Sequence, residues 1–158
     1  IRISCVRRDN LYNLFFDRLL VTLLRQSGWL LVPLLTEVDG SIVGHIAFSP
    51  VSVATGASSA GLAPIAVLPN RRRQGLAAQL IKAGLAECRL AGFGWAVVLG
   101  EPAYYARFGF NPASAFGLGD EYGGGPAFQV IELIPGQLPF GAGLVSYAPE
   151  FASLPSIP

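Results

Sequence analysis

Apolar side chains recur at three- and four-residue spacing from Asp9 to Gly28, at Leu11, Leu14, Phe15, Leu19 and Leu23. That spacing predicts one or two amphipathic helices with Asp9 as N-cap. The rhythm then changes. Leu30 to Val38 and Ser41 to Pro50 are apolar, β-rich runs joined by Asp39-Gly40, a dipeptide suited to the positive φ of a two-residue hairpin turn. Val51 to Gly61 is rich in Ser, Ala and Gly and reads as a strand end plus a loop. Leu62 to Leu68 resumes the apolar run; Pro64 cannot donate to a ladder, so the regular strand is expected to start at Ile65 or to carry a bulge.

After Pro69 the helical period returns. Leu76, Leu80, Ile81, Leu85 and Cys88 share one face of a segment from about Gly75 to Leu90, with Gly92 beyond its end. Trp95 to Leu99 is a continuous apolar run, as a central strand covered on both faces requires, and a short helix from Ala103 to Phe108 is expected to follow. Phe128 to Ile134 and Leu144 to Tyr147 read as two late strands, and Gly-rich Asn111 to Pro126 as a loop. Neither a repeat nor a linker interrupts this order. With 158 residues, 52% of them apolar, one buried core is affordable, so residues 1–158 are expected to form a single α/β domain.

Composition narrows the function. Eleven basic and ten acidic side chains leave a formal charge of +1, and the 13% charged content disfavours a general polyanion binder. Ten of the eleven basic residues are Arg and one, Lys82, is Lys. Two cysteines, Cys5 and Cys88, and one histidine, His45, supply neither a disulfide framework nor a usual metal-ligand set, so no metal is expected and the setting reads as a reducing cytoplasm. The start shows no secretion-signal pattern, although without any Met the true start stays open. Mean hydropathy is +0.50, and Gly40 to Asn70 carries no Asp, Glu, Lys or Arg. Pro50, Gly56, Pro64 and Pro69 break that run too often for a membrane span, and buried strands explain it better.

The candidate chemistry sits in Ile65 to Leu80, IAVLPNRRRQGLAAQL: a strand, a proline, a basic cluster, then Gly75 and Ala77 opening a helix. Orphan amides in a helix's first turn, the helix dipole and a Gly without Cβ together make a pyrophosphate cradle. The ATP-type G-x-x-x-x-G-K-[ST] and the dinucleotide G-x-G-x-x-G are both missing, which weakens ATP and NAD as ligands.

Arg72-Arg73-Gln74-Gly75-Leu76-Ala77 matches the [RQ]-x-x-G-x-[GA] motif, and Tyr105 to Phe110 resembles the Y-x-x-x-G-F, of the GNAT superfamily of N-acetyltransferases. More narrowly, VGHIAFSPV, GLAPIAVLPNRRRQGLAAQLI, LGEPAYYARFGFNPA and VSYAPEF resemble the YhbS-type acetyltransferases, over about Leu30 to Phe151. The resemblance implies a mixed, mostly antiparallel central sheet flanked by helices, and acetyl-CoA as co-substrate. Ile65, Ala66 and Val67 would then meet the pantetheine arm, Arg72, Arg73, Gln74, Gly75, Leu76, Ala77 and Ala78 the pyrophosphate, and Tyr105 would protonate the departing thiolate. It also implies direct acetyl transfer to an amine; the apolar loops and the Gly-rich segment Gly117 to Gly125, where Asp120 and Glu121 are the only acids, point to a primary amine of a small molecule or peptide rather than a polycation.

Two departures from the pattern stand out. Gly100-Glu101-Pro102-Ala103 replaces the Asn that many members carry before the Tyr block, and the strand before the motif has no acidic base. Glu101, after a buried strand, is the first candidate for that base, with His45 and a helix-capping role for Glu101 as alternatives. A non-catalytic CoA-binding or sensor module on the same fold is the rival reading, which the missing strand acid favours. An Arg-rich nucleic-acid module would rest on three adjacent arginines alone, so no nucleic-acid partner and no membrane is expected. A homodimer stays open.

Overall fold

The computed structural model describes residues 1–5 and 18–153. Nine strands form one sheet: β1 (Arg2–Cys5), β2 (Leu31–Val38), β3 (Ser41–Val53), β4 (Ser58–Val67), β5 (Trp95–Leu99), β6 (Asn111–Pro112), β7 (Leu118–Asp120), β8 (Phe128–Glu132) and β9 (Gly143–Tyr147). The main path runs β1-β2-β3-β4-β5-β8-β6, and β9 pairs with the far end of β3 and with β7. Only β4–β5 and β7–β9 are parallel; the other pairs are antiparallel. The helices are α1 (Arg18–Gln26), α2 (Leu76–Leu90) and the short α3 (Pro102–Tyr105).

The hairpin follows its sequence pattern, with Asp39 at φ 50 and Gly40 at φ 77 between β2 and β3. Helix α1 ends where Gly28 takes a positive φ of 75, while the expected helical positions Leu11, Leu14 and Phe15 lie outside the described residues. Between β3 and β4 the structure differs from expectation. β3 continues to Val53 and β4 already begins at Ser58, so of the stretch read as a strand end plus a loop only residues 54–57 lie outside the strands. The physical reason is local: Ser59 is fully buried, its hydroxyl donates to the Trp95 carbonyl, and the Trp95 N–H donates back to it at 3.2 Å. A small hydroxyl residue thus fits a central strand once its polar atom meets the neighbouring backbone. The Pro64 ambiguity resolves as a bulge: Ile46 faces Ile65 but Phe48 faces Leu62, so β4 carries one extra residue across Ala63-Pro64. The segment read as a loop from Asn111 to Pro126 also holds β6 and β7, and the strand read as ending at Ile134 stops at Glu132.

Side chains alternate between the two faces of the sheet. Ile46, Phe48, Leu62, Ala96 and Val98 pack under α2 against Leu80, Ile81, Leu85 and Cys88, all buried. Val51, Val53, Trp95, Val97, Phe128, Val130 and Val145 fill the opposite face under Ala113, Phe116 and Leu118. Leu24 of α1 packs with Ala148. No helix among the described residues is long and apolar enough to cross a membrane.

α2 approaches β3 closely because Gly84 has no side chain: a Cβ there would stand 2.6 Å from Phe48 Cε2. Gly84→Val is therefore expected to destabilise the fold by about 1–3 kcal/mol through overpacking, despite valine's better helix propensity. Urea unfolding checks this; an unchanged midpoint would show that the interface has slack.

Candidate active site

The site begins where a pairing ends. β4 and β5 run side by side at Ala60 with Ala96 and at Gly61 with Val97, and no pair follows. From residue 62 to 67, β4 keeps its ladder to β3, with Ile65 opposite Ile46, Ala66 opposite His45 and Val67 opposite Gly44. Among the described residues, no strand pairs with its other edge there. Backbone donors and acceptors on that edge can pair with an extended amide-bearing ligand as a further strand would.

After β4 a 3-10 turn, Pro69–Arg71, redirects the chain into a loop with two left-handed residues, Arg73 at φ 59 and Gly75 at φ 78. The left-handed region costs a non-glycine residue about 1–2 kcal/mol, so Arg73 is held there by the turn around it. Gly75 caps α2 without any side-chain hydrogen bond. The Gln79 N–H donates to the Gly75 carbonyl at 3.0 Å, so the amides of Leu76, Ala77 and Ala78 point past the helix end with no intrahelical acceptor. A Cβ built on Gly75 meets nothing within 4 Å, so the space beside it is open.

A cleft of about 660 Å³ joins these parts. Ile65, Ala66 and Val67 form one wall, and Arg71, Arg72, Arg73, Gly75, Leu76, Ala77 and Ala78 form one end. Tyr104, Tyr105 and Arg107 stand on the α3 side. The cleft's lining thus includes four guanidinium groups and no carboxylate, a field suited to an anion. Arg72 Nε donates to the Val67 carbonyl at 3.3 Å, which ties the loop to the strand end. Arg107, which the motifs do not single out, stacks its guanidinium 4.4 Å from the Tyr104 ring centre and donates from Nε to the Tyr104 carbonyl at 3.3 Å. The signal for it in sequence was a basic residue three positions after Tyr104 on the same short helical turn. The donors and cations present fit a pyrophosphate at the α2 terminus, and the open space at Gly75 fits its close approach.

Tyr105 is half-buried. Its ring meets Tyr104 and Phe110 edge-on at 5.2 and 5.8 Å, and Gly100 leaves room for it, since a Cβ there would run into the ring. Burial, with Tyr104 as a smaller cause, raises the Tyr105 pKa above the ordinary phenol value, so the hydroxyl holds its proton at neutral pH.

Three expected residues stand elsewhere. Gln74 does not line the cleft; its amide donates to the Asn70 carbonyl at 3.5 Å and closes the loop. Glu101 is exposed and absent from the cleft lining. Its carboxylate accepts from the Ala103 N–H at 3.5 Å while its carbonyl accepts from Tyr104 and Tyr105, so it caps α3. Pro102 at the first helical position fits that cap and not a buried base. His45 is 2% exposed on β3, facing away from α2.

Comparison with known proteins decides the family. The model of the Acetyltransferase (GNAT) family matches residues 6–110. The chain belongs to the GNAT acetyltransferase family. It is 41% identical over 131 residues to the uncharacterized N-acetyltransferase YhbS of Escherichia coli K12, covering 81% of this chain and 78% of that protein. The crystal structure of Escherichia coli YhbS in complex with CoA superposes with a TM-score of 0.78 at 40% identity, covering 84% of this chain and 76% of that one. A GNAT family acetyltransferase from Brucella melitensis in complex with acetyl-CoA gives 0.74 at 31% identity, over 95% of this chain and 97% of that one. GNAT enzymes use acetyl-CoA as co-substrate, and the fold here is theirs.

If the α2 terminus carries the pyrophosphate, Gly75→Val should leave the chain folded by circular dichroism while raising the acetyl-CoA Kd at least tenfold in calorimetry. Arg72→Ala and Arg73→Ala should weaken binding more at low salt than at high, because screening has already reduced their contribution at high salt. Equal losses at both ionic strengths would mean folding damage instead.

Proposed function

We propose that this protein transfers the acetyl group of acetyl-CoA directly to a primary amine of a small-molecule or peptide acceptor, with Tyr105 as proton donor. The observation that carries the reading is the cleft itself. An unpaired β4 edge, the free first-turn amides of α2 and a protonated, half-buried Tyr105 line one cleft.

The acceptor enters as an ammonium and first gives one proton to water; the thioester carbonyl carbon of acetyl-CoA then bonds to the neutral nitrogen as the C–S bond breaks, leaving an amide and the CoA thiol. The chain's own groups divide the remaining work. The β4 edge at Ile65, Ala66 and Val67 aligns the pantetheine amides, and the amides of Leu76, Ala77 and Ala78 with Arg72 and Arg73 hold the pyrophosphate. Tyr105 gives its hydroxyl proton to the departing sulfur and recovers one from the amine nitrogen, so it ends each cycle protonated. Gly100 and the Glu101 cap position Tyr105; with Glu101 engaged at the helix start, the first amine proton leaves to water.

Tyr105→Phe keeps the ring and its edge-on contacts and removes only the donor. We expect kcat to fall by about a hundredfold with little change in acetyl-CoA affinity, and Tyr104→Phe to do less. The raised Tyr105 pKa sets the sign of the pH dependence. Its donor form persists as pH rises through the ordinary phenol range, so the alkaline limb of kcat should lie above pH about 10 and vanish in Tyr105→Phe. Near-parental kcat in Tyr105→Phe, with chemistry limiting, would assign the proton to another group.

A further inference from the structure

Gln129 stands at a core position of β8. Alternation sends Phe128 and Val130 to the face away from α2, and Gln129 with Ile131 to the face that carries α2 and Tyr105. It lies opposite Val98 of β5 and Pro112 of β6 and is 1% exposed, a place where the strand pattern calls for an apolar side chain. A buried carboxamide costs about 1–3 kcal/mol unless it is hydrogen-bonded. Gln129 Nε2 donates to two backbone carbonyls, that of Gly100 at 3.3 Å and that of Ala127 at 3.4 Å.

Those two carbonyls lie where β5 ends and β8 begins. The Gly100 N–H donates to the Ala127 carbonyl at 2.9 Å, one step beyond the last ladder pair, Leu99 with Phe128. Both polar groups of Gly100 are therefore tied to the start of β8, the N–H directly and the carbonyl through the Gln129 side chain. The Tyr105 ring rests on this residue, since a Cβ on Gly100 would run into it. The next residue, Glu101, accepts from the Tyr104 and Tyr105 N–H groups, both at 3.1 Å, and so starts the helix that carries the phenol. Gly100 admits the ring because it has no Cβ, yet glycine is also the freest backbone link, and here it joins β5 to α3. A restraint from outside that link removes the freedom. Gln129 supplies it from a strand paired on both edges, with β5 on one side and β6 on the other.

We infer that Gln129 is a positioning residue for acetyl transfer: its carboxamide fixes the Gly100 peptide and, through it, the place of the Tyr105 hydroxyl in the cleft. The inference rests on the reading of Tyr105 as proton donor. Gln129 does not line the cleft, so it acts on the reaction through Tyr105. A reacting group displaced by about 1 Å loses on the order of a hundredfold in rate, which is how a contact remote from the chemistry comes to govern it.

Gln129→Met keeps the length of the side chain and removes both donors. In protein carrying ζ-13C tyrosine, with the Tyr105 resonance assigned by its loss in Tyr105→Phe, the Tyr105 titration should move down toward the ordinary phenol value, because a ring released from Gly100 is less buried. The resonance of Tyr147, on the opposite face of the sheet, and the CoA Kd should stay as in the parent. Release of thiol from acetyl-CoA, with water as the acyl acceptor, should fall about tenfold at unchanged KM, and should fall no further when Gln129→Met is added to Tyr105→Phe. Gln129→Leu carries the same comparison if the Met variant does not fold. A parental Tyr105 titration, a shift shared with Tyr147, or an equal fall in both backgrounds overturns the inference. Full thiol release by Tyr105→Phe alone would instead overturn the donor reading, and the titration reports on Gln129 separately from it.

Discussion

β4 and β5 are held together at two positions, Ala60 with Ala96 and Gly61 with Val97, and then separate. Had the parallel ladder continued, the backbone of residues 62–67 would be consumed by β5 and no edge would face the cleft. The separation is tied to the residues around it. The extra residue at Ala63-Pro64 turns β4 away while its ladder to β3 persists, and a proline within the strand contributes no N–H to any β5 partner. β5 meanwhile keeps a full antiparallel ladder with β8, from Trp95 with Glu132 to Leu99 with Phe128, so it does not follow β4. Each of the two strands stays bonded on its outer side, which lets the inner sides part without leaving the sheet unsupported.

That one opening organises both faces. On the α2 side it is continued by the Arg-rich turn and the helix terminus, whose position is set by the packing of Leu80, Ile81 and Gly84 against β3. Helix α3 closes the same side, with the Tyr105 ring fitted against Gly100 at the end of β5. On the other face β7 and β9 pair in parallel, which brings Asp120 and Tyr147 close together. The positive groups collect on the first side and the carboxylates on the second. The two sides of one gap therefore differ in charge, and the side lined by Arg71, Arg72, Arg73 and Arg107 carries the sign that suits an anion.

Much of the frame was legible along the chain because its signals are local. The Asp39-Gly40 turn, the five-residue apolar face of α2 and the uninterrupted run of β5 each follow from backbone preference or side-chain period, and they place Arg72 to Ala78 between a strand and a helix. Less legible were the strands made of small residues. Ser59 and Ala60 look like loop until the β5 backbone supplies a partner for the Ser59 hydroxyl and the crowded interior favours small side chains. β6 and β7, two and three residues long, fall below any periodic signal.

Glu101 shows where local reading ends. Its place after a buried strand suggested a desolvated carboxylate, yet Pro102 starts a helix at once and draws the side chain to the Ala103 amide. Arg107 shows the reverse case: its spacing puts it on the same turn as Tyr104, but only the fold brings it to the cleft that Arg71, Arg72 and Arg73 line. The sequence by itself determined the family, the strand-turn-helix that opens at Gly75 and the presence of a tyrosine at the next helix start. Tertiary structure alone decided which strand edge stays unpaired, which arginines share a field, and that the Tyr147 ring packs over Gly61, 86 positions earlier, where β4 and β5 part. Those facts depend on sheet order and on contacts between distant segments, to which neither period nor propensity responds.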